Sequence, residues 1–257
     1  MLKMSITFED YLGKVQLERL FKQLGASNPR ILARTVKHFA TKEGEKRDQI
    51  VAGYFGPREV ERIVDSITRY LFADPQIPEN AKVLDVGAGS GSFTIPVEKK
   101  VRMKLPKVEF YAMDPTPNML LSLIKKATQI TPFIGLAENI QGSIRHAREF
   151  LKIPTKFDSV FSTLMLHHNT QPEKVFESIS QVLKKNGKAV IVDLCEHSFT
   201  EFKKEMGDIH LGFKSENIEK MAQKRFSTVE VKKLPGICCK SSGRSAEIFV
   251  ATMQNPL

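Results

Sequence analysis

Residues 82–91 read KVLDVGAGSG, from Lys82 to Gly91: a short apolar run that ends in glycines at every second position. Val83, Leu84 and Val86 carry the side chains of a buried strand. At Gly87, Gly89 and Gly91 the missing Cβ lets the backbone take positive φ and approach a ligand closely. The pattern predicts a strand, a tight turn and a helix starting near Ser92 and Phe93, whose free N–H groups face a carboxylate or phosphate. A dinucleotide fingerprint, G-x-G-x-x-G, requires glycine at position 92, where this chain has Ser92. Asp85 stands where dinucleotide loops are apolar, and a carboxylate there suits a cationic amino-acid moiety. Beyond the turn, Val108 to Met113 (VEFYAM) predicts the next strand, which ends in Asp114. An acid at the tip of the second strand of a βαβ unit is placed to accept both hydroxyls of a ribose.

Acid, glycine turn and second acid together fit S-adenosylmethionine (SAM). Val83 to Gly91 with Asp114 resembles the first motif and the acidic strand end of the class I SAM-dependent methyltransferases, and the resemblance covers roughly residues 76 to 257. Gly135 to Ile140, leading into Gln141, Gly142 and Ser143, resembles that family's third strand, where the residue after the glycine contacts adenine. Lys156 to Leu166 (KFDSVFSTLML) resembles the fourth strand, with His167 and His168 following. Pro172 to Gly187 resembles the helix before strand five, Lys188 to Leu194. The resemblance implies an α/β fold, a Rossmann-like doubly wound seven-stranded sheet with a reversed last strand, and SAM as cofactor. It further implies cofactor contacts from Asp85, Gly87, Ala88, Gly89, Asp114, Pro115, Met119, Ser143, Ile144 and Thr163. Gly91 is divided between ligand contact and close helix-to-strand packing.

Methyl transfer from a sulfonium is an in-line displacement on an activated carbon, so holding the acceptor in line is the main task of the protein. A base is needed only where the nucleophile carries a proton, and histidine matches neutral pH. His167 and His168 follow strand four, where the family opens its acceptor pocket. No N/D-P-P-Y/F, Pro-Cys or paired-glutamate motif occurs, which leaves the small-molecule branch, including quinone-ring, metalloid and general C-, O- or S-methyltransferases. The stretch Gly207 to Phe213 (GDIHLGF) resembles an insertion that covers the acceptor in the arsenite and quinone branches, making Asp208 and His210 further acceptor candidates. Thiolates bind soft metalloids, so Cys195, Cys238 and Cys239 leave metalloid methylation as an alternative. Against it, the arsenite enzymes carry a cysteine just after strand four, where this chain has Leu166 and His167. The cysteines lack metal-ligand spacing, and no metal is expected.

At 257 residues the chain holds one α/β domain and an appendage: a helical cap over residues 1–75 and a SAM-binding methyltransferase domain over 76–257. Phe8, Leu12, Val15, Leu17, Leu20, Phe21 and Leu24 predict a helix stopped at Gly25. Asn28 and Pro29 predict a cap and first turn for a second helix, through Ile31, Leu32, Val36 and Phe39. Thr41 to Asp48 reads as a surface turn, Pro57 as the start of a third helix, and Pro75 to Pro78 as a stiff junction. Tyr54 and Phe55, between Gly53 and Gly56, either fold over the cofactor or pack on the domain. Thr228 to Leu234 and Glu247 to Thr252 predict a hairpin whose loop contains Pro235, Gly236 and Gly243. No apolar run reaches bilayer length and the first residues lack a secretory pattern, so a cytoplasmic protein is expected. The net charge of +10 is spread along the chain. It keeps open an RNA or protein methyltransferase using a basic surface, but nucleic acid is not favoured over a small-molecule acceptor. A non-catalytic SAM-binding regulator is the remaining alternative.

Overall fold

The computed structural model describes residues 6–26, 28–30, 32–33, 36, 47–73, 76–205, 207–241 and 243–257. Ile31 and Phe39 of the expected second helix, residues 41–46 of the expected surface turn, and Pro75 lie outside the described residues. The apolar spacing that predicts one helix up to Gly25 is divided between two, α1 (Phe8–Lys14) and α2 (Leu17–Gln23), separated by an extended Val15. Spacing alone does not show this break, which falls beside the weak helix former Gly13. Thr7 and Asp10 begin α1 with reciprocal side-chain to backbone hydrogen bonds. Asp48 belongs to the first turn of α3 (Arg47–Phe55) rather than to a surface turn, in the position where the helix dipole favours an acid. As expected, α4 (Pro57–Phe72) starts on its proline and buries Ile63, Val64, Ile67 and Leu71.

Seven strands form one sheet: β1 (Lys82–Val86), β2 (Glu109–Asp114), β3 (Thr131–Ile134), β4 (Phe157–Thr163), β5 (Leu183–Leu194), β6 (Phe226–Ser241) and β7 (Arg244–Pro256). Their order is β3-β2-β1-β4-β5-β7-β6. The first five are parallel, and β7 runs antiparallel to both neighbours. The helices α5 (Thr94–Lys104), α6 (Pro117–Lys126), α7 (Ile140–Ala147) and α8 (Pro172–Val182) make the crossovers between parallel strands, and α9 (Glu201–Glu205) and α10 (Ser215–Gln223) follow β5. Winding reverses between β1 and β4, the switch point at which sheets of this kind bind ligands.

Two elements differ from the sequence expectation. The third strand ends before Gly135, and the segment expected to continue it is a 3-10 turn at Ala137–Asn139 followed by α7. Leu136, Ala137, Ile140 and Ile144 recur at the helical period, and the Asn139 side chain caps α7 by accepting from the Gly142 N–H. The true strand contains Pro132, tolerated because β3 is an edge. At the opposite edge, β6 continues through Pro235 and Gly236 with a register shift between Lys233 and Cys238, and the hairpin turns between Ser241 and Arg244.

The N-terminal helices are bonded to both ends of this sheet. Tyr11 Oη accepts from the Ile134 N–H of β3, at 3.3 Å. Lys188 of β5, buried, donates to the Ala73 and Tyr70 carbonyls at the end of α4, at 2.7 and 3.2 Å. Tyr70 donates to the Met253 carbonyl of β7, and Arg62 to those of Pro235 and Gly236. Among the described residues no helix is long and apolar enough to cross a membrane.

Candidate active site

The glycine turn is closed upon the end of β2. Gly87 and Ala88 donate their N–H groups to the Met113 carbonyl, at 2.8 and 3.1 Å, and Gly89 donates to Asp114 Oδ2 at 2.9 Å. Asp114 Oδ1 accepts from the Thr116 N–H. These three turn amides are therefore satisfied within the protein. The carboxylate at the start of α5 is also the chain's own, since Thr94 Oγ1 donates to Asp85 Oδ2 at 2.6 Å. A Cβ on Gly87 would lie 2.3 Å from Met165 Cγ, whereas one on Gly89 would meet nothing within 4 Å; both residues have positive φ. Gly91 backs onto Ile95 and Leu123, the packing role.

Asp85 is 2% exposed, and its Oδ1 has no hydrogen-bond partner among the described residues. Burial pushes its carboxyl up to about 7; the Thr94 hydrogen bond opposes the rise and the neighbouring Asp114 charge adds to it. A buried acceptor without a donor is costly unless something else supplies one.

Two spaces adjoin the turn, and Gly87 and His168 border both. The larger, of about 650 Å³, opens beyond β2 and β3 and is lined by Met113, Pro115, Gly135, Leu136, Ala137, Glu138 and Asn139, with Gly25, Ala26 and Asn28 from the N-terminal segment. The smaller, of about 80 Å³, lies beneath α3 and is lined by Val51, Tyr54, Ala88, Gly89, Thr163, Leu164, His167 and Cys239. Of the expected aromatic pair, Tyr54 faces this chamber while Phe55 packs edge-on against Phe93 in the core. Asp48 fastens α3 to the turn: its Oδ1 accepts from both Ser90 Oγ and Ser92 Oγ at 2.7 Å, and Oδ2 pairs with Lys126.

Of the residues expected to meet the cofactor, Gly87, Ala88, Gly89, Pro115 and Thr163 line these spaces, Asp114 is bonded to the turn at Gly89, and Asp85 is buried in β1 two residues before the turn, bonded to Thr94. Met119 is buried in the first turn of α6. Ser143 and Ile144 are inside α7, where Ser143 Oγ donates to the Asn139 carbonyl and accepts from the Leu136 N–H. The wall of the larger space comes instead from Leu136 to Asn139, between β3 and α7; the signal for it is Gly135, once the strand is ended there.

After β4, Leu164 takes a positive φ of 55°, an uncommon conformation for a branched residue, and so turns the chain over the glycine loop. The turn Leu166–His168 follows. His167 Nδ1 is 2.6 Å from Asp193 Oδ1 at the end of β5, and its Nε2 is 3.5 Å from Asp208 Oδ1. Asp193 also accepts from the Leu166 and Leu194 N–H groups. Burial works to raise the Asp193 carboxyl, but the charge and hydrogen bond of His167 hold it below the ordinary value. Segment 207–213 is strapped across this corner: Ile209 and His210 donate their N–H groups to the His167 carbonyl, and Glu196 and His197 donate to Phe213 and Leu211. His210 points away from the chamber, its Nε2 bonded to the Asn169 carbonyl and its ring against Phe213. Cys239 reaches the chamber, while burial pushes the Cys195 thiol up to about 11, away from the thiolate that a soft metalloid needs.

Comparison with known proteins agrees with this geometry. Over 122 residues the chain is 32% identical to the mitochondrial ubiquinone biosynthesis O-methyltransferase of Schizosaccharomyces pombe, covering 47% of this chain and 40% of that protein. It is 26% identical over 119 residues to the ubiquinone/menaquinone biosynthesis C-methyltransferase UbiE of Rickettsia peacockii, covering 46% of each. The chain thus spans less than half the length of these curated relatives. Its fold is similar to that of magnesium protoporphyrin IX methyltransferase from Synechocystis PCC 6803, solved with bound S-adenosylhomocysteine (SAH), with a TM-score of 0.59 at 16% identity over 86% of this chain and 99% of that one. The profile of the family described as a methyltransferase domain matches residues 77–240, from just before β1 into β6. That stretch is most of the chain and holds the glycine turn, both strand-end acids and the histidine pair, and the protein belongs to the methyltransferase-domain family.

Proposed function

We propose that this protein transfers a methyl group from SAM to a small organic acceptor. The observation that carries the reading is the pairing of Asp85 Oδ1, buried without a donor, with a turn whose Gly89 is open to the adjoining space. An ammonium group supplies the donor and the positive charge that Asp85 lacks, as the amino-acid end of SAM does. Asp114 is fixed at the tip of β2 by two backbone N–H groups, and its carboxylate is the acceptor proposed for the hydroxyls of a ribose. Leu136 and Ala137 offer an apolar wall to a flat base, with Glu138 and Asn139 at its polar edge. Ser143 supports that wall through its bonds to Leu136 and Asn139, and Met119 and Ile144 are buried in the helices that follow β2 and β3.

When bound, the cofactor supplies a methyl carbon already activated by its positive sulfur. The chain's own residues do the rest by position. Gly87, Ala88 and Gly89 admit the reactive end to the boundary between the two spaces, and Thr163 and Leu164 border the smaller one, where the acceptor sits. Residues 1–75 act as the cap, with Tyr54 and Val51 roofing the chamber and excluding water. An acceptor that must lose a proton meets the polar floor made by His167 and His168; His210 holds the strap beside it. Isotope-labelled methyl donor, incubated with the protein and a panel of phenols, thiols and carbon acids, tests this by mass spectrometry. Labelled methyl on one acceptor class is expected. Saturable cofactor binding without label on any class would favour a non-catalytic regulator instead.

A further inference from the structure

The floor of the small chamber gathers more ligand-forming chemistry than methyl transfer needs. The donor atoms of His167, His168 and Asp208 all lie within 4.8 Å of one another. The first two follow β4, and Asp208 comes from the strap about forty residues later, too distant for a spacing motif. Strap and turn are tied together where this matters, because the N–H groups of Ile209 and His210 both bond to the carbonyl of His167.

His167 is oriented as metal-ligating histidines are. Its Nδ1 meets Asp193 Oδ1 at 2.6 Å and its Nε2 faces Asp208 Oδ1 at 3.5 Å, so that in the neutral, metal-binding ring Asp193 holds the proton on Nδ1 and Nε2 is the ligating atom. The side chains of Asp193 and Asp208 are both fully buried. Two buried carboxylates flank one imidazole, and buried carboxylates persist when they are paired or coordinate a cation. A metal ion between Nε2 and Oδ1 takes the place of the second ring proton and makes both atoms ligands.

We propose that His167 Nε2, His168 and Asp208 bind a divalent transition-metal ion, with Asp193 as the positioning residue that orients His167. Two imidazoles and a carboxylate are borderline donors suited to zinc, cobalt, iron or manganese. Bonds of about 2.1 Å at tetrahedral angles set such donors roughly 3.4 Å apart. The His167 to Asp208 separation is already close to that, and half-buried His168, whose Nδ1 lies 3.3 Å from the Gly207 carbonyl of the strap, completes the set within 4.8 Å. Three protein ligands leave a position for water or for a hydroxyl of the acceptor, which would enter from the chamber that His167 and His168 line together with Thr163 and Gly89. The inference rests on the methyltransferase reading and deepens it: the acceptor class becomes a hydroxyl compound whose oxygen is held and acidified at this floor.

The test uses the full chain, treated with chelator and then titrated with Co²⁺ and Zn²⁺ alone, while SAH binding is measured on the same samples. One equivalent of Co²⁺ is expected, with visible ligand-field absorption that Zn²⁺ displaces. Asp208→Asn and His168→Asn should each weaken Co²⁺ binding by at least about tenfold, and Asp193→Asn by about 10–100-fold, the range for partners of ligating histidines. His168→Asn, at a half-buried position, separates ligand loss from misfolding, with circular dichroism as the control. No Co²⁺ uptake, or uptake indifferent to these substitutions, together with normal SAH binding, would overturn the metal site and leave the cofactor reading intact. Specific Co²⁺ binding without SAH binding would do the reverse.

Discussion

Asp85 concentrates the chemistry of the turn in one side chain. Its carboxyl, raised to about 7 chiefly by burial, holds a proton in the free folded protein over a range where the unfolded chain, near 3.9, has lost it. The sign follows: Asp85 reduces stability progressively as pH rises from about 4 to 7, and the full penalty, about 4 kcal/mol, applies above 7. A cationic ligand group beside Oδ1 favours the ionised form, so binding below pH 7 expels a proton and SAH affinity falls by about tenfold per pH unit there. Calorimetry at pH 6 in buffers of different ionisation enthalpy reads this proton directly. Asp85→Asn should stabilise the ligand-free protein at pH 8 and abolish the proton release; unchanged release in the variant would assign it to another group. The two central glycines separate fold from binding. Gly87→Ala drives a methyl into Met165 and should cost about 2–4 kcal/mol in denaturant unfolding. Gly89→Ala should cost about 1 kcal/mol yet weaken SAH binding more than Gly87→Ala per unit of stability lost. These residues are legible in the sequence because strand, turn and acid are contiguous. The facing of His167 to Asp208 is not, since its two halves meet only through the strap.

At the scale of elements, α3 is fastened to the loop it covers. Asp48 reaches Ser90, Ser92 and Lys126 at once, and although burial acts to raise its carboxyl, these hydrogen bonds together hold it below the ordinary value. A depressed carboxyl contributes stability that is present above the unfolded value near 4 and is lost as pH falls through the lower folded value. Asp48→Ala should therefore speed SAH dissociation at pH 7, seen in stopped-flow release, with little change in the sheet's circular dichroism. An unchanged off-rate would show that α3 does not retain the ligand. Ser90 and Ser92 are plain in the glycine run, but their partner lies some forty residues earlier in a stretch that reads only as a charged turn. The third strand is misread for a related reason. Pro132 argues against a strand until the edge position is known, and the apolar residues after Gly135 fit either period until Asn139 is seen to cap α7.

Across the whole molecule, the N-terminal helices and the sheet share one continuous apolar core. Lys188 is a main polar link between them. Buried in β5, it places its ammonium against the carbonyls that end α4, where the helix dipole favours a cation, and over the Tyr70 ring. Lys188→Met should lower unfolding free energy by about 1.5–3 kcal/mol, the value of hydrogen bonds to a charged group. A change within 0.5 kcal/mol, the usual scatter of a surface substitution, would deny it that role. The doubly wound order with a reversed seventh strand is legible in the sequence because strands and helices alternate with regular spacing. The attachment of the N-terminal helices is not, because it depends on single long-range contacts such as Tyr11 to Ile134. On the proposed reading, the turn at residues 87–91, between Asp85 and Asp114, holds the methyl donor. Calorimetric titration of the full chain and of Asp114→Ala with SAH tests it most directly. One saturable site of micromolar affinity, weakened at least about tenfold in the variant by loss of a charged hydrogen-bond acceptor, is the predicted result; no saturation in the unaltered chain, or equal affinity in both proteins, would contradict it.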